Sequence, residues 1–344
     1  MASENELDAM RRAIDAARER SSCLPNPTVG CVVLGADGAE VGRGATVRGG
    51  AHAEVEALAV AGDRARGGTA VVTLEPCRHV GNTGPCTDAL IAAGVARVVV
   101  AETDPNPEAA GGAEVLRAAG IDLETGVLAD EAAPLNHAWR FAVTHDRPFV
   151  TWKYAATLDG LSAAPDGSSK WITGPDARHD VQQFRAQCDA IVAGTGAVLA
   201  DDPRLTVRDA DDLPLPFDRQ PLRVVVGETT IPSYFRVFDR VAPTLVIQTR
   251  EPAEVLQRLA QQKIRHVWLE GGPRLAGGFW NAGLIDRVIG YIAPSMLGSG
   301  RAALEGEATT LADLRPIDIT DLTTIGPDIR IIGTPGQAPR ETYP

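Results

Sequence analysis

The stretch TLEPCRHVGNTGPC, residues 73–86, sets Cys77 and Cys86 in a loop of Gly, Pro and Asn. Two thiols so placed can form a disulfide, half of a structural metal site or part of a catalytic one. Upstream, AHAEVEAL carries His52 and Glu54 two residues apart. One imidazole and two thiolates fix a zinc ion and leave its fourth position to water. The metal lowers the pKa of that water towards neutrality. A carboxylate that is not itself a ligand then takes the proton and delivers it to a ring nitrogen and a departing amine. H-x-E followed by P-C and a second Cys is the pattern of zinc-dependent deaminases. A closed structural site wants four protein ligands, and three are evident here. His52, Cys77 and Cys86 are therefore read as zinc ligands and Glu54 as the catalytic proton carrier. The insert RHVGNTGP is longer than the two residues usual between such cysteines. His79 within it is either a pocket residue or a solvated loop histidine.

The elements around these residues alternate. ENELDAMRRAIDAARER has helical spacing, and TVGCVVLGADGAEVGRGATV reads as a hairpin about GADG. HAEVEALAVAGDRA is a helix, GGTAVVTLEP a strand entering the cysteine loop, and TDALIAAGVA a helix after it. RVVVAETDP, AEVLRAAGI and DLETGVL follow as strand, helix and strand. This predicts an α/β layer with helices on both faces. The pattern restarts near residue 147. FVTWKYAATLDG, CDAIVAG, PLRVVVGETT, PTLVIQTR, HVWLEGG and RVIGYIAP are short apolar strands running into Gly, Asp or Pro turns, and RDADDLPLPFDRQP is an acidic surface loop. Two α/β domains are expected, 1–146 and 147–344.

Composition bounds the function. The chain has 344 residues, 44% of them hydrophobic, with a formal net charge of −12. That balance opposes a non-specific polyanion binder, which needs a basic face. Three of the 33 basic residues are lysines, so anion contacts fall mostly to Arg. No signal pattern opens MASENELDAM and no segment is apolar for the length of a membrane span, so the expected location is cytoplasmic, with no membrane or nucleic-acid partner. Thiols stay reduced there, which opposes a disulfide framework. Cys23, Cys31 and Cys188 are expected to be small buried hydrophobes. His137, His145, His179 and His266 are expected at the surface or satisfied in a core.

In the second half, HVWLEGGPRLAGGFW reads as strand, Gly-rich turn and helix. Such a turn either lets backbone approach an anion at the helix N-terminus or is a plain tight connection. TLDGLSAAPDGSSKWIT could equally be a hairpin with a buried Trp, and LADDPRLTVR a solvated acidic loop. Lys153 is a candidate for polarising a reacting group, or an ordinary solvated strand lysine.

Taken together, PNPTVGCVV, HAEVEAL, VTLEPCRHVGNTGPC and DPNP resemble the deaminase half of the bifunctional riboflavin-biosynthesis deaminase–reductase family (RibD/RibG). WKYAATLDG, GSSKWIT, LADDPRLTVR and LEGGPRLAG resemble its reductase half, in the same order. The resemblance implies a cytidine-deaminase-like α/β/α domain followed by a dihydrofolate-reductase-like α/β domain. It implies zinc-dependent deamination of 2,5-diamino-6-ribosylamino-4(3H)-pyrimidinone 5′-phosphate. It also implies NADPH-dependent reduction of 5-amino-6-(5-phosphoribosylamino)uracil at the ribosyl C1′.

By the same resemblance, Asn26 and His79 bind the pyrimidine, with Asp104 or Asn106 in the same pocket. Ser169, Arg185, Leu205, Arg208 and Glu270 contact the second substrate. Ala155, Trp171, Ala197 and Asp201 contact NADPH, as does the run Gly272, Pro273, Arg274, Leu275, Ala276, Gly277 and Gly278. Partners are small phosphorylated pyrimidines, and relatives imply a homo-oligomer, dimer or tetramer. Asn82 departs from a family pattern that has Lys or Arg, with Arg78 or Arg48 as possible substitutes. A related pyrimidine or pteridine substrate is the second reading. A nucleic-acid-editing deaminase, opposed by the charge, is the third.

Overall fold

The computed structural model describes residues 1–20, 25–79 and 84–336. The expectations for Cys23 and Asn82 fall outside them. The chain separates into two compact units, Met1–Asp146 and Arg147–Pro344.

In the first unit, α1 (Glu4–Arg18) opens with a capping box, Ser3 and Glu6 each satisfying the other's backbone N–H. β1 (Gly30–Leu34) and β2 (Glu40–Ala45) form the expected hairpin. α2 (Ala53–Ala61), β3 (Thr69–Leu74), α3 (Cys86–Ala93), β4 (Arg97–Glu102), α4 (Gly112–Ala118) and β5 (Asp122–Thr125) follow, with α5 (Ala129–Ala132) and α6 (His137–His145) closing the unit. The sheet runs β2-β1-β3-β4-β5, with β3, β4 and β5 parallel.

Successive strand residues point to opposite faces, and the core divides accordingly. Cys31, Val33, Val72 and Val98 pack against Ala53, Ala57 and Leu90 on one side, while Val32, Leu34, Val71 and Val99 pack against Met10, Ala13 and Ile14 on the other. The result is the expected α/β/α sandwich. Gly44 fixes the entry of α2. A Cβ there would lie 2.5 Å from the Ala57 nitrogen and 2.6 Å from the Ala53 oxygen. The helix that carries the first chemical groups therefore lies directly on β2.

The second unit begins with β6 (Phe149–Thr157), β7 (Leu161–Ala163), α7 (Pro175–Arg185), β8 (Ala190–Gly194), α8 (Thr195–Asp201), β9 (Leu222–Val226) and β10 (Thr244–Ile247). It continues with α9 (Pro252–Gln261), β11 (His266–Leu269), α10 (Pro273–Asn281), β12 (Arg287–Ala293), β13 (Arg301–Ala302), β14 (Ile317–Ile325) and β15 (Asp328–Pro335). Its main sheet has the order β10-β9-β8-β11-β6-β12-β15-β14, parallel from β10 to β12 and antiparallel beyond. Helices cover both faces. Val224, Ile247 and Leu269 meet Val255 and Phe279 on one, and Ile191, Trp268 and Tyr291 meet Ala177 and Val181 on the other.

Two expectations change here. β7 does not ladder with β6 as a hairpin but pairs with β13, and Trp171 is 67% exposed rather than buried. The β14–β15 hairpin has no counterpart among the sequence expectations. Ile317, Ile319 and Leu322 are separated by polar residues and never form the apolar run that marks the other strands. No helix among the described residues is long and apolar enough to cross a membrane.

Candidate functional site

The parallel strands of the first unit deliver their chemistry at their carboxyl ends. β3 ends at Leu74, and Glu75, Pro76 and Cys77 follow. Cys86 is the first residue of α3, with Pro85 as its N-cap. The Cys77 carbonyl accepts from the Thr87 N–H at 3.3 Å, which ties the two cysteine segments together. His52 is the N-cap of α2. Its Nδ1 lies 3.2 Å from Cys86 Sγ and 3.5 Å from Cys77 Sγ, and all three donor atoms fall within 4.8 Å of one another. One nitrogen and two sulfurs in that spacing suit a tetrahedral zinc with one open position.

Electrostatics support the assignment. A hydrogen bond from Cys86 is the main reason the Cys77 thiol is drawn down to about 4, with His52 assisting. The Cys77 interaction and burial hold Cys86 up as the partner that keeps the proton. A coordinated cation deprotonates a thiol outright. Glu54, 4% exposed on the first turn of α2, has its carboxyl raised by burial and by the nearby Cys77. A carboxyl of raised proton affinity is suited to carrying a proton between water and substrate.

The sequence did not single out Glu75. It is 7% exposed, and its carboxylate accepts from the N–H groups of Asp104 at 3.1 Å, Gly111 at 3.1 Å and Ala113 at 2.9 Å. It thereby fixes the loop after β4 against the loop that holds Cys77. Asp104, 8% exposed, is pushed up to about 6 by burial and then by the Glu75 charge. Asn106 donates its N–H to Asp104 at 2.8 Å. Asn26 is exposed in the turn before β1, whose first residue, Gly30, donates to Thr73 Oγ1 at 3.1 Å. This puts Asn26 at the same end of the sheet as Cys77. His79, Arg78 and Arg48 are exposed.

In the second unit a charged cluster forms at the end of β11. Arg185, the last residue of α7, donates Nε to Glu270 Oε1 at 2.7 Å and pairs Nη2 with Glu270 Oε2, while its Nη1 reaches the Thr206 carbonyl at 3.0 Å. Trp268 Nε1 also donates to Glu270. Burial alone would raise the Glu270 carboxyl, but Arg185 and Lys153 override it and bring it to about 2. Lys153 is not the solvated strand lysine of the simpler expectation. It is half-buried, burial lowers its pKa, and its Nζ stands 5.8 Å from the centre of the Tyr291 ring. The Tyr291 hydroxyl donates to Asp180 at 2.7 Å, and Asp180 in turn pairs with Arg330. The sequence missed Tyr291, Asp180 and Arg330 because they are ordinary residues far apart in the chain.

The remaining positions divide by exposure. Trp171 carries the Arg178 guanidinium 4.6 Å over its ring. Asp201 receives Lys170 at 3.5 Å, and Arg208 pairs with Asp212 at 2.8 Å. Ala155, Ser169 and Ala197 are half-buried. Leu205 buries its side chain in the core at a positive φ of 49°, so its backbone is what a ligand can meet. Gly272 caps α10 and Pro273 starts it. Ala276 faces the core and Gly277 lies against the Glu305 backbone, whereas Arg274 is exposed. Gly272 has open space where a Cβ would project. A glycine turn, a helix N-terminus and open space fit a dinucleotide diphosphate. Cys31 and Cys188 are buried, and His266 is a satisfied core residue, 2.8 Å from Thr151 Oγ1 and 3.2 Å from the Gln187 carbonyl.

Comparison with known proteins agrees with both halves. The family described as cytidine and deoxycytidylate deaminase zinc-binding region matches residues 3–102, and the RibD C-terminal domain family matches residues 148–331. The riboflavin biosynthesis protein RibD of Mycobacterium tuberculosis H37Rv is 46% identical, the match covering 94% of this chain and 95% of that protein. The Escherichia coli K12 protein of the same name is 41% identical over 93% and 96%. Among solved structures, Acinetobacter baumannii RibD superposes with a TM-score of 0.90 at 38% identity, covering 97% of this chain and 99% of that one. The Thermotoga maritima diaminohydroxyphosphoribosylaminopyrimidine deaminase/5-amino-6-(5-phosphoribosylamino)uracil reductase does so with a TM-score of 0.88 at 32% identity, covering 96% and 99%.

Proposed function

Because this chain belongs to the RibD family, the bifunctional deaminase–reductases of riboflavin biosynthesis, we propose that the two sites described above carry its two reactions. The enzyme removes an amine hydrolytically from 2,5-diamino-6-ribosylamino-4(3H)-pyrimidinone 5′-phosphate. It then reduces 5-amino-6-(5-phosphoribosylamino)uracil with NADPH.

In the first reaction His52, Cys77 and Cys86 hold the zinc ion, which when bound supplies Lewis-acid activation of water. Glu54 takes a proton from the attacking water and passes it to the ring nitrogen, and a second transfer lets ammonia leave. Asn26, His79 and Asp104 orient the pyrimidine. In the second reaction a bound dinucleotide would supply the hydride equivalent that C1′ gains as its ring C–O bond opens and that oxygen gains a proton. Arg185 and Glu270, with Ser169, Leu205 and Arg208, hold the substrate, and Lys153 polarises the reacting group. Ala155, Trp171, Ala197, Asp201 and the run from Gly272 to Gly278 hold the cofactor. Residues 1–146 serve the first reaction and 147–344 the second. Family membership also supports a cytoplasmic homo-oligomer, dimer or tetramer.

The observation that carries this reading is buried Glu54 on the turn that presents His52 to two converging thiols. The test follows ammonia release from the phosphorylated diaminopyrimidine by zinc-loaded wild type and Glu54→Gln, then NADPH oxidation on the product. Loss of a positioned acid–base group lowers ammonia release about 10²- to 10⁴-fold, with NADPH oxidation on authentic deaminated substrate retained. Equal ammonia release by the two proteins would sink the role of Glu54. No ammonia from wild type, with zinc bound, would mean that the first substrate is a different one.

A further inference from the structure

The carboxyl ends of the parallel strands form one continuous edge in the second unit. Along it lie Glu270-Gly271-Gly272 after β11, Gly194-Thr195-Gly196 at β8, Gly227-Glu228 after β9, and Gln248-Thr249-Arg250 after β10. Neighbouring ends touch. A Cβ on Gly227 would lie 2.5 Å from Thr195 Oγ1, and the Gly227 N–H donates to the Ile247 carbonyl at 3.1 Å. Gly196, like Gly272, opens onto free space.

The direction of a bound dinucleotide follows from the strand order. Lys153 and Ala155, which the reductase reading sets beside the reacting group, belong to β6, which adjoins β11. The diphosphate belongs at the glycine turn of β11 and α10. The adenosine must then continue away from β6, over β8 and towards β9 and β10. Three strand spacings of ~4.8 Å carry it roughly 14 Å from β11 to β10. At that far end Arg250 Nε pairs with Glu228 Oε2 at 2.9 Å, with side chains 78% and 60% exposed. Two other cations of this unit have partners of their own. Arg274 stands on α10 beside Glu305, and Lys170 is bound to Asp201.

We infer that Arg250 reads the 2′-phosphate of the adenosine, and that Glu228, ion-paired with it from the next strand, opposes that charge and narrows the preference for the phosphorylated dinucleotide. This rests on the reductase reading of the second unit. A guanidinium fork suits a phosphate, which it binds through two parallel hydrogen bonds. A carboxylate at a strand end suits a free ribose hydroxyl, as in NAD sites, and repels a phosphate. A 2′-phosphate must therefore take Arg250 away from Glu228, whereas an unphosphorylated ribose can use Glu228 directly. A pair this exposed contributes little to stability, so replacing it reports on recognition rather than on folding.

The test is calorimetric binding of 2′,5′-ADP and 5′-AMP to the full-length protein, wild type, Arg250→Gln and Glu228→Gln, with Kd for NADPH and NADH measured by fluorescence. Arg250→Gln is expected to weaken 2′,5′-ADP about tenfold and leave 5′-AMP within about twofold. Glu228→Gln is expected to tighten 2′,5′-ADP several-fold, an effect that shrinks as salt is raised. An unchanged ratio in Arg250→Gln, or weaker 2′,5′-ADP binding in Glu228→Gln, overturns the inference while the cofactor site stands. Wild type that binds neither nucleotide nor dinucleotide overturns the cofactor site itself, and this inference with it.

Discussion

The zinc-type cluster of the first unit draws its three donors from residues 52–86, all at the starts of helices or just past one strand. The charged cluster of the second draws Lys153, Arg185 and Glu270 from β6, α7 and the end of β11. Both stand at the carboxyl ends of parallel strands, as open α/β sheets favour. They differ in how they are held. The first is a local arrangement that one ion closes. The second is a long-range arrangement in which each charge is the other's reason for being buried. A ligand set of rare residue types tolerates little freedom in sequence. A charge network can be built from common residues wherever the topology brings them together.

The sharpest way to break this comparison is Cys86→Ser. Losing one of three protein ligands is expected to abolish zinc retention and ammonia release, measured by metal analysis and ammonia assay, and to leave NADPH binding and oxidation intact. Loss of both activities together would mean that the first site is not the self-contained arrangement described here.

A smaller but still large effect is expected from Glu270→Gln. It leaves Arg185 buried without its counter-charge, their side chains being 12% and 14% exposed for Arg185 and Glu270. Breaking a buried pair on one side costs about 3 kcal/mol, read by urea unfolding of the full chain. The double variant Arg185→Met/Glu270→Leu should recover most of that loss. The pH dependence has a definite sign. The Glu270 carboxylate is depressed from 4.5 to about 2, so its stabilisation is complete above pH 4.5 and is lost as pH falls towards 2. The gap between wild type and Glu270→Gln should therefore close on acidification. A gap independent of pH would contradict the coupling.

The smallest effect tests the outer part of the same network. Tyr291→Phe removes the hydroxyl that donates to Asp180 and should cost about 1 kcal/mol in the same unfolding measurement. A loss as large as that of Glu270→Gln would show the array reaching further than its hydrogen bonds suggest.

This contrast also explains what could be read from the residues alone. The convergence of His52, Cys77 and Cys86 was legible in the sequence, because His and Cys at those spacings have few other uses. Glu75 escaped because a lone acid carries no spacing signal, although its three backbone partners bind it to the loop of Asp104. In the second unit Arg185 and Glu270 came only through family resemblance, and nothing in the sequence pairs them. Tyr291, Asp180 and Arg330 were invisible for the same reason. Apolar runs marked β6, β8, β9, β11 and β12. No sequence expectation covered β14, whose alternation leaves 58% of Ile319 and 62% of Leu322 accessible.

The place of β6 has a consequence for how the chain is made. It is the first strand of its unit to leave the ribosome, yet it pairs with β11 and β12, Phe149 opposite His266 and Thr151 opposite Arg287. At ~5–20 residues per second, the partners of FVTWKYAAT emerge roughly 5–30 s later. Until then a nine-residue strand with an apolar face has no ladder to join. The second unit therefore folds late and cooperatively from its own beginning and carries the aggregation hazard of a waiting strand, whereas β1, β2 and β3 pair almost as they are synthesised.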